Sequence, residues 1–305
     1  MTTSDDGRRA RLDGLAVALL VTCCALWGVN QVAAKVALVD LPPLLQAGLR
    51  SAGAAVLVVL WARWRGLRLF ERDGTLGAGL LAGTLFAIEF ACIFIGLQYT
   101  GASRMVVFIY LAPFVVALLM PLVARQERLD AVQGLGLAIA FGGVVWAFAE
   151  GLQGGGSWLG DALGLLAAVL WAGTTVVVRA TRLSRALPEK TLLYQLGVSA
   201  VILGGSSVLM GESWSPATVS ALSWASLAFQ TVVVTFASYL MWFWLVRHYP
   251  ATQVSAFTLL APLFGLAAGV LLLQEPLTPR LVVAAVAVSA GLLLVNRPRR
   301  PAARP

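Results

Sequence analysis

Residues 111–127 read LAPFVVALLMPLVARQE, and residues 260–275 read LAPLFGLAAGVLLLQE. Each is an apolar run that opens on Leu-Ala-Pro and closes on Gln-Glu. Leu111 and Leu260 are 149 positions apart, and Gln126 and Gln274 are 148 apart. A third pair extends the match towards the N-terminus. Trp27, with Lys35 eight residues on, returns as Trp171 with Arg179 at an offset of 144. The chain therefore contains one unit of sequence twice, and the second unit follows the first nearly end to end.

The bulk composition fixes the medium in which this unit folds. Of 305 residues, 59% are hydrophobic and 12% charged, and the mean hydropathy is +0.86. Soluble domains carry about 25% charged residues, so the composition excludes a soluble globular fold. A transmembrane barrel would alternate apolar and polar positions, whereas the apolar runs here are continuous. A net charge of +8 raises the question of nucleic acid. The arginines, however, sit in short clusters between apolar runs, where they orient spans rather than bind phosphates. Cys23, Cys24 and Cys92 all fall inside apolar runs without metal-ligand spacing, so no metal or other cofactor is expected. The stretch after Arg8, Arg9 and Arg11 is too long for a cleaved signal peptide and reads as a retained first span.

Apolar stretches near the length of a bilayer core number ten, at about 15–38, 43–64, 76–97, 103–124, 132–149, 159–178, 192–210, 224–246, 252–274 and 280–295. The expectation is an all-α membrane protein of ten transmembrane helices arranged as two inverted five-helix repeats. A repeat with an odd number of spans must insert its second copy upside down, and many secondary carriers build a two-sided site in this way. The expected organisation is a tail at 1–14, a first repeat at 15–150, an external linker at 151–157, a second repeat at 158–296 and a tail at 297–305. The glycines of the linker lack the Lys-Ser/Thr ending of a phosphate-binding loop. With both termini cytoplasmic, all but four of the 22 lysines and arginines fall on the cytoplasmic side. The exceptions are Lys35, Arg50, Arg104 and Arg280. That asymmetry favours this orientation, in the inner membrane of a bacterial cell.

The two copies resemble the drug/metabolite transporter superfamily, EamA type, over roughly residues 15–295. The resemblance is carried by Trp27-Gly28-Val29-Asn30 with Lys35, and by Ala102-Ser103 leading to Leu111-Ala112-Pro113 and Glu127, each with its counterpart in the second copy. It implies a ten-helix carrier of a small organic solute, often moving it outward, and leaves the cargo open. The copies have diverged: Arg50 corresponds to Gln195 and Asn30 to Thr174.

Ionisable residues at membrane depth are costly and mark candidate function. Glu89 lies well inside the third span, and the other acidic residues are expected in tails, loops or span ends. Lys35, Arg50 and Arg104 share its half of the membrane and outnumber it, which favours a solute bearing an anionic group. Glu89 is either half of a structural ion pair with Arg50 or Arg104, or a contact for solute or a coupling proton. Lys35 and Arg104 can also snorkel to the interface. The second-copy counterparts of Lys35, Arg50, Glu89 and Arg104 are Arg179, Gln195, Ser238 and Gln253, all polar. Trp27, Asn30 and Gln31 share one helix face and suit either solute stacking or helix packing. Tyr110, Tyr239 and Gln253 are further candidates of the same kind. Pro113 and Pro262 each remove a backbone hydrogen bond in mid-span, as gating hinges or as static kinks.

No catalytic motif accompanies these residues, and His248 has no carboxylate near it in sequence. The expectation is a secondary transporter, not an enzyme and not a channel. Its partners would be a small solute, the bilayer and a coupling proton through Glu89, with no nucleic acid. The basic excess leans towards amino-acid-like or carboxylate-bearing metabolites. Lipophilic cations held by Glu89 are the alternative.

Overall fold

The structure, a computed structural model, describes residues 12–123, 131–152, 158–249, 254 and 257–295. Described secondary structure is helical throughout: α1 (Gly14–Ala37), α2 (Pro43–Trp64), α3 (Leu76–Gly96), α4 (Ala102–Ile109), α5 (Ala112–Val123), α6 (Ala131–Leu152), α7 (Trp158–Ala180), α8 (Pro188–Leu209), α9 (Ala221–Ala228), a π-helical stretch Phe229–Ser238, α10 (Tyr239–His248), α11 (Leu260–Leu273) and α12 (Pro279–Val295). Seven helical stretches among the described residues are long and apolar enough to cross a bilayer. They are Gly14–Ala37, Pro43–Trp64, Leu76–Gly96, Ala102–Leu119, Trp158–Ala180, Pro188–Leu209 and Ala221–Leu245. Three shorter apolar helices, Ala131–Ala147, Leu260–Leu273 and Pro279–Leu294, accompany them. Apolar side chains such as Val56, Leu60, Val201 and Val208 are exposed on the outer faces. A soluble protein would pay for that exposure, and a lipid-embedded one does not.

Local chemistry sets the helix ends. Asp13 caps α1 by accepting from the Ala16 amide at 2.8 Å, and Tyr249 donates to the same carboxylate at 2.9 Å. α2 and α8 both start with proline in the first turn, where a missing N–H costs nothing. The α2 start is further held by Glu212, which accepts from Leu44 at 3.1 Å and Leu45 at 2.8 Å. At the opposite end of that helix pair, Lys190 in the first turn of α8 donates to Asp73 and to the Glu71 carbonyl, both at 2.8 Å. The Lys190 and Thr75 hydrogen bonds hold the Asp73 carboxyl well below the usual carboxylate range.

The first Leu-Ala-Pro segment interrupts a helix, and the second opens one. α4 ends at Ile109, a turn closes with Leu111 N–H donating to the Phe108 carbonyl at 3.1 Å, and α5 restarts at Ala112. In the second segment a 3-10 turn, Phe257–Leu259, precedes α11. Proline cannot supply the bond that would carry an α-helix through either point. The helices pair as α2 with α8, α3 with α7, α6 with α12, α1 with α11 and α4 with α11. Gly28 makes the α1–α11 approach possible, since a Cβ there would lie 2.8 Å from Phe264 atoms. At the centre of the α2–α8 pair the Ser51 and Ser199 hydroxyls meet at 3.0 Å.

Candidate functional site

A cavity of about 390 Å³ lies between α1, α3, α4, α5, α7, α8 and the π-helical and α10 stretch. Seven residues singled out from the sequence line it: Trp27, Asn30, Gln31, Glu89, Tyr110, Pro113 and Tyr239. One-turn spacing on α1 puts Trp27, Asn30 and Gln31 together, and α3 contributes Phe86, Glu89, Phe90 and Ile93 in the same register.

The walls are aromatic. Trp27 meets Trp242 and Tyr239 edge-on, with centroids 5.1 and 6.5 Å apart, and its indole N–H donates to the Ser238 hydroxyl at 2.9 Å. Tyr110 meets Trp171 edge-on at 5.7 Å, and Phe86 lies 4.5 Å from Phe90. Ser238 therefore orients the indole and also donates to the Val234 carbonyl at 2.6 Å.

Within this apolar lining several polar atoms are buried without partners: Glu89 Oε2, Asn30 Oδ1 and Gln31 Oε1. A buried acceptor with nothing donating to it costs about 1–3 kcal/mol, and more when charged. Native structures rarely carry such a cluster without a use for it.

Arg50 is placed differently. It is fully buried behind the wall, its guanidinium 3.8 Å from the centroid of the Phe90 ring. None of its three guanidinium nitrogens has a hydrogen-bond partner, and no ion pair with Glu89 forms among the described residues. Stacking on Phe90 offsets part of the cost; cation–π contacts that exclude water reach about 2 kcal/mol.

Lys35 and Arg104 do not join Glu89, and Arg104 is not its ion-pair partner. Arg104 donates from Nε to Asp161 Oδ1 at 3.2 Å, pairs through Nη2 with Asp161 Oδ2, and donates to the Ala147 carbonyl at 2.9 Å. Asp161, fully buried in the first turn of α7, also accepts from Thr100 at 2.8 Å. Asp161 thus lies at a span end, as expected of the acids other than Glu89, and the alternative that paired Arg104 with Glu89 is corrected. The correction matters for charge, because Asp161 answers Arg104 and Glu275 answers Lys35 at 3.5 Å. Of the three cations expected to outnumber Glu89, Arg50 alone has no carboxylate partner among the described residues, and Arg179 lines the far end of the same cavity. Pro262 is buried in α11 outside the cavity lining, and Gln253 lies outside the described residues.

Glu275 sits among several donors. Its carboxylate accepts from the Ala102 amide at 2.7 Å and the Ser103 amide at 2.9 Å, and from the Ser103 hydroxyl. Burial alone would push this carboxyl up. The Ser103 and Ala102 hydrogen bonds and the Lys35 charge outweigh it and hold the group below its ordinary range.

Comparison with known proteins places the whole arrangement. The model of the EamA-like transporter family matches twice, over residues 14–149 and 158–297. The uncharacterized transporter YvbV of Bacillus subtilis (strain 168) is 32% identical over 91% of this chain and 90% of its own length. A protein named as a probable amino-acid metabolite efflux pump in Escherichia coli (strain K12) is 28% identical over 93% of this chain and 95% of its own. One solved crystal structure, 17% identical in sequence, shares the fold with a TM-score of 0.67 over 92% of this chain and 97% of that one. The chain belongs to the EamA-like transporter family, and it is a multi-pass membrane transporter.

Proposed function

We propose that this transporter exports a small amino-acid-like or carboxylate-bearing metabolite by alternating access, from a cavity between two inverted five-helix repeats. Ten spans then comprise the seven long stretches and the three shorter apolar helices. The double match of the family model supports the repeat. On the basic-residue asymmetry both termini are cytoplasmic, and the bacterial relatives favour the inner membrane of a bacterial cell. The Lys35 end of the bundle then faces outward and the Arg179 end inward.

The observation that carries the substrate reading is the buried polar set. Glu89, Asn30 and Gln31 line the aromatic-walled cavity, and each carries a buried side-chain oxygen without a partner. A solute with an ammonium answers Glu89, and the carboxamides can each donate and accept. Arg50, stacked behind Phe90, supplies positive potential for a carboxylate on the same solute. The name of the Escherichia coli relative points the same way.

The aromatic walls favour a second reading. Trp27, Tyr110, Trp171 and Tyr239 around one carboxylate also suit a lipophilic cation. Thermal-shift measurements on purified protein with amino acids, dicarboxylates and quaternary ammonium ions separate the two, since a ligand of the folded state raises its melting temperature. Stabilisation by quaternary ammonium ions alone overturns the amino-acid reading.

Proton coupling through Glu89 completes the proposal. A carboxylate among apolar side chains can take up and release a proton as the cavity changes sides.

A further inference from the structure

Among the described non-glycine residues, Gln274 alone has a positive φ, at 54°. Side chains with a Cβ adopt this left-handed backbone at a cost, and such strain persists where the surroundings impose it. Here it ends α11 and turns the chain back, so that the Glu275 amide donates to the Gly269 carbonyl at 3.2 Å. The carboxylate is thereby carried to the N-terminus of α4, where two orphan amides, a hydroxyl and the helix dipole all favour an anion.

The seat is shaped for this group. A Cβ on Gly101 would come within 2.8 Å of Glu275 Oε2, and a Cβ on Gly269 within 2.7 Å. Lys35 closes the side of the seat, 3.5 Å from Oε1, while donating to the Thr100 carbonyl at 2.6 Å. One carboxylate therefore ties together α1, α4 and the turn after α11.

These elements also bound the cavity. On α1 its lining stops at Gln31, one turn before Lys35, and on α4 it begins at Ile109, about two turns after Ser103. At the other end it reaches Arg179 in the last turn of α7 and Thr191 in the first turn of α8. The seat lies over the short end.

We propose that Glu275 is the latch of the transporter: seated on α4 it closes the cavity at the Lys35 face, and it must leave that seat before the cavity opens there. The proposal rests on the alternating-access reading. A latch of this kind joins the two sequence repeats across the face that has to part, through bonds that all converge on one side chain. The opening motion then needs one group to find water in place of three donors.

The test is sided labelling. A full-length chain with Cys23, Cys24 and Cys92 replaced by alanine carries Thr174→Cys as a reporter in the cavity. A parallel chain carries Val39→Cys, exposed at the Lys35 face, to mark that face. Both are treated with a membrane-impermeant maleimide in right-side-out and in inverted vesicles. Glu275→Gln keeps the side-chain size but puts an amide nitrogen where a donor already points. The expected result is an increase of about tenfold in reporter labelling from the face marked by residue 39, with the rate from the other face unchanged. A parental rate from the residue 39 face overturns the proposal. So does an equal rise from both faces, which would make Glu275 a fold-holding group. If Glu275→Gln does not yield monodisperse protein, Ser103→Ala removes one donor and is expected to raise the same rate about threefold, with an unchanged rate again overturning the latch. No solute is needed for this readout, so a failure of the metabolite assignment in binding assays leaves the labelling result standing.

Discussion

Ser51 and Ser199 stand 148 positions apart in the chain and touch, hydroxyl to hydroxyl, at 3.0 Å in the middle of the α2–α8 contact. Each is fully buried, so either alone is a polar atom that depends on the other. Ser51→Ala or Ser199→Ala singly is expected to cost about 1 kcal/mol, because one hydroxyl is orphaned. The double variant is expected to cost less than the two together. Thermal denaturation of the four proteins in one detergent checks this, and strict additivity refutes the coupling.

The fully buried Asp161 holds the half-buried Arg104 guanidinium. Asp161→Asn removes the fully buried carboxylate of this pair, and breaking a buried pair costs about 3–5 kcal/mol. A lowered melting temperature is expected, with partial recovery when Arg104→Met is added. Equal melting temperatures for the parent and Asp161→Asn would show the pair to be unimportant.

The α2–α3 loop is docked by Asp73 on Lys190. The Asp73 carboxyl is depressed in the docked loop. Its contribution is therefore fully present above the ordinary aspartate value of about 3.9 and is lost as pH falls through the lowered value. Trypsin cleavage after Arg68 and Arg72 is expected to show no added loop opening between pH 8 and pH 6 in the parent. Asp73→Asn is expected to raise cleavage about fivefold across that range, as local opening becomes easier. Unaltered cleavage in the variant counts against the docking role.

Glu89→Gln removes the titratable group from the cavity. Uptake into inverted vesicles is expected to lose its dependence on a pH gradient, with expression and melting temperature kept. A pH dependence identical to the parent's would remove Glu89 as the proton carrier.

Pro113→Ala restores the donor missing at the break between α4 and α5. If that break bends during transport, the turnover rate is expected to fall about tenfold while solute affinity holds, since gating limits many such cycles. A static kink would leave the rate unchanged.

Much of this architecture was legible because membrane spans announce themselves by length and apolarity, and because Leu-Ala-Pro and Gln-Glu recur. The shared face of Trp27, Asn30 and Gln31 followed from helical spacing, and all three line the cavity. Pairing was harder to read. Asp161 sits close behind Trp158 at a helix start, where an acidic residue looks like an ordinary first-turn group, and its first-copy counterpart at the offset of 144 is the apolar Val17. Nothing in the repeat flags it, and the sequence leaves Arg104 open to pairing with Glu89 or to snorkelling at the interface. Glu275 was visible as part of the repeated Gln-Glu, but its role depends on the backbone turn at Gln274, which carries no glycine to advertise a positive φ. The burial of Arg50 behind Phe90 is a matter of rotamer and packing that spacing cannot reach.

The Arg104–Asp161 pair also imposes an order on biogenesis. The ribosome delivers the arginine 57 residues ahead of its partner, an interval of roughly 3–11 s at typical synthesis rates. Lys35 waits far longer, until Glu275 emerges near the end of translation. The newborn first half thus enters the lipid before Asp161 and Glu275, the carboxylates that hold these cations in the folded chain, have been made.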